Sequence, residues 1–341
     1  MHPIALCLIT SIQSTSLLLS SPSDFQVFQR QTSAWGQVFV SGRAPLDCKE
    51  VSVRFFGKPM EGKLNTTWRK ILVDPAAHTF NSEIGLPAGG WYQCEIWAGN
   101  DRQTVNHIGV GEVFVGAGQS NSTNSGGEGG LKTESQMVST FGGENWRLAD
   151  DPQPGVHDKS GGGSFWPAFG DAMYERYHVP IGLAVTGHGG TSVNQWQKDG
   201  ELFNWTLGRI RQLGKNGFRA LLWHQGESDT GMTAAEYGGK LQKIILDSQQ
   251  AAGWSFPWIV AQVSYHNPSQ PLFRSTRDAQ RTLWNGGIAL EGPDTDMLGG
   301  PNRDGNGQGI HFSPTGLRAH GKLWADHVGA WLDGVLGVRK Q

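Results

Sequence analysis

Between residues 24 and 106, apolar and polar side chains alternate in short runs at 37–42, 51–56, 79–81 and 91–97. A period of two puts one side of each run on a buried face and the other in solvent, which predicts strands. Gly57-Lys58-Pro59 and Pro87-Ala88-Gly89-Gly90 punctuate the runs as turns. This region reads as a small all-β sandwich, with a packing or a carbohydrate-binding role. From His107 onward the pattern changes. Short strand-like runs at 113–115, 181–185, 218–223, 258–263 and 287–290 are followed by longer helical segments at 166–177, 202–213, 234–252, 272–284 and 314–335. Such alternation predicts an α/β fold, a parallel sheet with helices on both faces. Local signals agree: Thr233 and Glu236 have capping-box spacing, and Ser164 precedes Pro167 at a helix start. Ser313-Pro314 opens the last helix, whose buried face is marked by Trp324, Val328, Trp331 and Val335. The Gly-rich, polar stretch from 121 to 163 reads as a surface insertion walling a site. The expected division is a leader over 1–21, a β-sandwich over 22–106 and a catalytic domain over 107–341.

Composition narrows the partners. The chain has 341 residues, 49 of them glycine and 14 tryptophan, with a formal net charge of −2. That is enough chain for a sizeable core, and it lacks the basic excess that nucleic acid or an anionic membrane selects. No apolar stretch reaches transmembrane length, and the sequence carries no signal of oligomeric state. The N-terminal run Met1-His2-Pro3-Ile4-Ala5-Leu6-Cys7-Leu8-Ile9 suggests a secretory signal and hence a secreted, periplasmic or extracellular protein. It lacks an early Lys or Arg, and Ser11, Gln13, Ser14, Thr15 and Ser16 interrupt it. The other readings are an unstructured leader or a misassigned start. Export would allow Cys48 and Cys94 to pair; two separate buried thiols are the alternative.

The candidate chemistry lies after predicted strands. Ser120 follows the apolar run Val113-Phe114-Val115 within Gly116-Ala117-Gly118-Gln119-Ser120-Asn121-Ser122. A strand fixes the backbone and glycines allow a sharp turn, so the hydroxyl projects from the carboxyl end of the sheet, where ligand sites of open α/β folds lie. Trp223-His224-Gln225-Gly226-Glu227-Ser228-Asp229 follows another apolar run, and Gly309-Ile310-His311-Phe312-Ser313-Pro314 precedes the last helix. Together these suggest a serine hydrolase. The alternative for Ser120 alone is a turn or capping hydroxyl. The segment is not the Gly-x-Ser-x-Gly elbow of α/β-hydrolases. His224, Glu227 and Asp229 lack metal-ligand spacing, and Gly109-Val110-Gly111 is only a fragment of a dinucleotide fingerprint. No metal or cofactor is called for.

Gly118-Gln119-Ser120-Asn121, Gly189-Gly190, His224-Gln225-Gly226-Glu227-Ser228-Asp229 and Gly309-Ile310-His311-Phe312 stand in the order of the blocks of one family. From about Gly109 to its end the chain resembles the sialate O-acetylesterase-like carbohydrate esterases of the SGNH-hydrolase superfamily. The resemblance implies a flavodoxin-like SGNH fold, an acetylated carbohydrate substrate and Ser–His acyl-enzyme chemistry. Ser120 would be the nucleophile and His311 its base. Many relatives carry Asp three residues before that histidine, where this chain has Gln308. Glu227 is the first candidate for the missing acid. Asp304, Asp294, Asp296, Gln308 itself and a backbone carbonyl remain alternatives.

The oxyanion donors expected are the backbone N–H groups of Ser120 and of Gly189 or Gly190, and the Gln225 amide. For Gln225 the alternative is a buried amide tying two loops. Asn121, Trp196 and His224 are candidates for substrate contact. Trp146, Trp166 and Trp205 also fall near the site, where most tryptophans serve as core. Two functional alternatives remain: an esterase or lipase of small non-sugar esters, and a catalytically silent carbohydrate-binding protein.

Overall fold

A computed structural model describes residues 16–127 and 129–337 of the chain. Cys7 and most of the expected leader lie outside the described residues. The end of that stretch is part of a sheet: β1 (Leu18–Ser21) pairs antiparallel with β3 (Trp35–Arg43). β2 (Val27–Gln29) lies between them in sequence. β4 (Glu50–Pro59), β5 (Leu64–Asn65), β6 (Arg69–Leu72), β7 (Thr79–Pro87) and β8 (Gly89–Ala98) follow. β1, β3 and β7 form one layer, while β4 pairs with β5, β6 and β8 in the other. Their alternate residues, among them Val38, Val40, Val53, Phe55, Ile84, Leu86, Cys94 and Ile96, meet in one buried cluster. This is the period-two pattern expressed as packing.

β9 (Asp101–Gly118) couples these strands to the rest of the molecule. Its first half pairs antiparallel with β8, and its second half pairs parallel with two strands of the main sheet. Residue 106, the expected boundary, therefore lies inside a continuous strand. The main sheet continues with β10 (Val138–Phe141), β11 (Trp146–Leu148), β12 (Ile181–Val185), β13 (Ala220–His224), β14 (Trp258–Gln262) and β15 (Leu290–Asp294), in the order β11-β10-β12-β9-β13-β14-β15. From β10 to β15 the neighbours run parallel. The helices are α1 (Trp166–Tyr177), α2 (Glu201–Leu213), α3 (Ala234–Ala252), α4 (Arg274–Asn285), a short turn α5 (Asp304–Gly307) and α6 (Pro314–Leu336). Phe114, Leu183 and Leu222 face α1 and α6. Their neighbours Val113, Val115, Ala184 and Trp223 face α2, α3 and α4 on the other side. Strands apolar on both faces are what a doubly covered parallel sheet requires.

Two sequence expectations need correction. The stretch 121–163 is not only a surface insertion, because β10 and β11 within it extend the main sheet and bury Val138, Ser139 and Thr140. Their polar content hid them. The last strand begins at Leu290 rather than Gly287, because residues 287–289 fold back on the end of α4; Ile288 N donates to Leu283 O at 3.0 Å. The sulfur readings separate as well: Cys48 and Cys94 are free thiols. Among the described residues no helix is long and apolar enough to cross a membrane.

A buried charge cluster joins the N-terminal strands to the main sheet. The fully buried Glu112 accepts from Arg30 Nε at 2.6 Å, Arg219 Nε at 2.7 Å and Gln29 Nε2 at 2.9 Å. Removing the carboxylate leaves two guanidinium groups short of their counter-charge in a low-dielectric place. Glu112→Gln is therefore expected to destabilise the fold by about 3–5 kcal/mol, measured as a lowered midpoint in urea unfolding.

Candidate active site

β12, β9 and β13 are adjacent, and their carboxyl ends carry Gly187–Gly190, Ser120 and His224–Asp229 respectively. After β9 the chain adds β10, β11 and β12 on one side of it and then crosses to β13 on the other. That makes this the switch point of the sheet, where open α/β folds place their sites. The exit from β9 is tight. Gly118 has φ of +130°, and a Cβ there would stand 2.1 Å from His224 O. Only glycine lets the backbone pass that carbonyl. Gln119 N then donates to the same oxygen at 2.9 Å. A single 3-10 turn, Ser120–Ser122, follows, closed by Thr123 N and Oγ1 on Ser120 O. Among the described residues Ser120 Oγ makes no hydrogen bond, to His311 or to any other group.

Side-chain amides and carboxylates cross-tie the three strand ends. Gln119 Oε1 accepts from Ser228 N at 3.1 Å and from Gln225 Nε2 at 3.3 Å. Gln225 Nε2 also donates to Thr191 O at 3.1 Å and to Asp229 Oδ2. Asp229 in turn accepts from Val193 N at 2.8 Å and from Ser192 Oγ. The amide hydrogens of Gln225 are thus spent on structure. Of its two sequence readings, the loop-tying amide is the one this geometry matches; no free donor is turned toward an oxyanion. Gln119 was missed as a tie between the strand ends, although its place beside Ser120 in a matched block was a signal.

Asn121 connects the Ser120 loop to the His311 loop. Its Nδ2 donates to Glu227 Oε1 at 3.0 Å and to Ile310 O, one residue before His311, at 3.2 Å. Asn121 is 5% exposed, so it positions loops rather than presenting a face to substrate. Glu227 and His224 are each 1% exposed, with His224 Nδ1 3.7 Å from Glu227 Oε1. Burial pushes the Glu227 carboxyl up to about 7, against the opposing hydrogen bond from Asn121. Burial also holds His224 down to about 3, and the Arg303 charge acts in the same direction. Both shifts favour uncharged forms, and neither group hydrogen-bonds His311 among the described residues. His224 Nε2 instead pairs with Thr295 Oγ1 at 3.0 Å, which corrects its reading as a substrate contact.

The carboxylate facing His311 is Asp304, with Oδ2 3.7 Å from His311 Nδ1. An antiparallel bridge between Arg303 and Phe312 sets the two residues opposite each other, and Asp304 N donates to His311 O at 2.9 Å. Gly305, Asn306 and Gly307, all at positive φ, reverse the chain between them. Gln308 is exposed on this turn. Glu227, the first candidate for the acid, is thus displaced by Asp304 on distance; a register seven residues before the histidine is hard to read from spacing alone. Arg303 braces the loop, donating to Leu298 O, Thr295 O and Ile310 O between the Tyr265 and Phe312 rings. Burial lowers the His311 pKa below its ordinary value; the Asp304 charge opposes this and Arg303 adds to it. A Cβ on Gly309 would stand 1.6 Å from Asp304 Oδ1. Gly309→Ala is therefore expected to push the carboxylate off His311 and to lower kcat by roughly tenfold or more, with the protein still folded by circular dichroism.

Gly189 lies against Ser120: the position of its missing Cβ is 3.4 Å from Ser120 Cβ and 3.1 Å from Asp158 Oδ2. Its N–H, one of the expected oxyanion donors, donates to Asp158 Oδ2 at 2.6 Å. Among the described residues the N–H groups of Ser120 and Gly190 have no acceptor. Trp196 is 1% exposed, with its ring against Trp223 and its Nε1 on Thr191 Oγ1, so it is core rather than pocket lining. Trp146 and Trp166 are buried too. Trp205 is 40% exposed and packs edge-on to His157.

The fold and site define a doubly wound α/β protein with a serine, a histidine and a carboxylate gathered by loops at the sheet's carboxyl edge. More particularly, the chain belongs to the family described as carbohydrate esterase, sialic acid-specific acetylesterase, whose model matches residues 110–329. It is 32% identical over 85 residues to a probable carbohydrate esterase of Arabidopsis thaliana, a match over 23% of this chain and 33% of that protein. The match thus spans about a third of that curated relative's length. The fold is similar to that of a crystallised carbohydrate acetylesterase from Xanthomonas citri, with TM-score 0.59 and 18% identity over 90% of this chain and 74% of that one. An Arabidopsis thaliana protein of known structure gives TM-score 0.50 and 21% identity over 65% of this chain and 98% of its own. At these identities the structural likeness is one of fold.

Proposed function

We propose that this protein is a carbohydrate O-acetylesterase that cleaves acetyl esters of sugar hydroxyls through an acyl-enzyme on Ser120. The observation that supports it best is the Asn121 bridge, which draws the loop of Ser120 to the loop of His311. His311 accepts the Ser120 proton as Oγ bonds to the acetyl carbon. The tetrahedral oxyanion is met by the Ser120 and Gly190 N–H groups. His311 returns the proton to the sugar oxygen as the ester C–O bond breaks. Water, deprotonated by His311, then releases acetate and restores the serine. Asp304 acts as the positioning residue, orienting His311 and favouring its imidazolium. No cofactor enters these steps. The strands before β9 act as a packed supporting layer, and export is part of the proposal. Acetate release from a panel of acetylated sugars, with 4-nitrophenyl acetate alongside, tests the reading. Faster turnover of the sugar esters is expected. Preference for the nitrophenyl ester over every sugar would favour a small-ester esterase, and no turnover of either would remove the enzyme reading.

A further inference from the structure

The Asp158 carboxylate is built into the rim of the site and has no part in the steps above. One oxygen accepts from Ser160 N at 2.9 Å and Ser160 Oγ at 2.7 Å, and the other from Gly189 N at 2.6 Å. Both Asp158 Oδ2 and Ser120 Cβ lie within 3.4 Å of one point, the absent Cβ of Gly189. The carboxylate therefore sits beside the nucleophile. Burial works to raise its pKa, but the Ser160 and Gly189 hydrogen bonds and the His188 ring outweigh that and keep it ionised.

The basic groups near it are shared with another acid or screened by solvent. His188 Nδ1 and His157 Nδ1 are 2.7 Å apart, a bond that needs one N–H and one bare nitrogen. His157 Nε2 faces Glu201 Oε1 at 3.1 Å, so this histidine pair is shared with a second carboxylate. Lys159 is exposed to solvent, where its charge is screened. Asp304, the other carboxylate of the candidate site, is paired with His311.

We propose that Asp158 is a specificity-determining residue that selects uncharged acetylated sugars over carboxylate-bearing ones. This rests on the esterase reading above. A carboxylate on the substrate within a few ångströms of Asp158 meets like charge in a partly desolvated place, and an uncharged sugar does not. The repulsion corresponds to roughly tenfold or more in kcat/KM at low ionic strength.

The test compares the methyl glycoside of an O-acetylated sialic acid with the same compound carrying a primary carboxamide in place of the carboxylate. An acetylated methyl xyloside serves as a neutral control, and acetate release is measured near pH 7. The wild-type protein should favour the carboxamide over the carboxylate by roughly tenfold or more. That ratio should shrink toward one in high salt and in Asp158→Asn. A wild-type ratio near one, a preference for the carboxylate, or a ratio that Asp158→Asn leaves unchanged overturns the proposal. If the variant does not fold, the salt dependence of the wild-type ratio decides alone, and a salt-independent ratio is contrary. Folded wild-type protein that deacetylates none of the three compounds removes the carbohydrate O-acetylesterase reading, and this proposal with it.

Discussion

Ser120→Ala is expected to abolish acetate release, with a loss of roughly a thousandfold or more in kcat, while leaving the fold intact. The two halves of this expectation have separate causes. The hydroxyl makes no hydrogen bond among the described residues, so its removal strands no partner. The turn itself is held by the Ser120 carbonyl, which Thr123 N and Oγ1 engage, and by Gln119 N on His224 O. Alanine keeps all of these. What alanine lacks is the oxygen that, in the proposed reaction, bonds to the acetyl carbon. The check is kcat on an acetylated sugar beside an unfolding curve for each protein. Near-normal turnover in the folded variant would remove Ser120 from the reaction.

The second large effect belongs to Asp304. Asp304→Asn is expected to lower kcat on the order of a hundredfold or more, by analogy with loss of a triad carboxylate. Glu227→Gln, by contrast, should stay within about tenfold of wild type, because Glu227 faces His224 and Asn121 rather than His311. A pH profile separates positioning from simple disruption. His311 must be neutral to accept a proton, and burial sets its pKa below the ordinary value. Activity should therefore hold as pH falls to about 6.5, the ordinary histidine value, and drop only below it. Asp304 is the group that raises this pKa against burial. Removing its charge should move the acid limb of kcat/KM to still lower pH. An unmoved limb in Asp304→Asn would mean that the carboxylate is not coupled to the base. A collapse of kcat in folded Glu227→Gln would return the role to Glu227.

Much of the fold was legible because burial writes a period into sequence. α1, α3 and β12 stand where apolar spacing put them, and Thr233 and Glu236 form the capping box their spacing announced. β10 was not legible, since its Ser139 and Thr140 are buried polar residues whose place depends on neighbouring strands. Nor was the continuity of β9 across residue 106, because a strand that changes partners halfway keeps a strand-like sequence throughout. At the candidate site, the loop positions of Ser120 after β9 and of His311 before α6 were legible, because strand and helix ends restrict position. The reading failed for long-range pairings. Asp304 reaches His311 through a left-handed turn, Gln225 is consumed by contacts from two other loops, and Trp196 is buried by Trp223. Asp158 lay in a segment read only as an insertion, although its loop returns to Gly189.

The central claim is that the acetyl group passes through Ser120. Its most direct test is mass spectrometry of enzyme quenched during turnover of a slowly deacylating acetyl ester, followed by proteolysis. The account predicts one added acetyl group, confined to the peptide containing Ser120 and absent in Ser120→Ala. An acetylated peptide elsewhere that forms at the rate of turnover, or full turnover with Ser120 never acetylated, would contradict it.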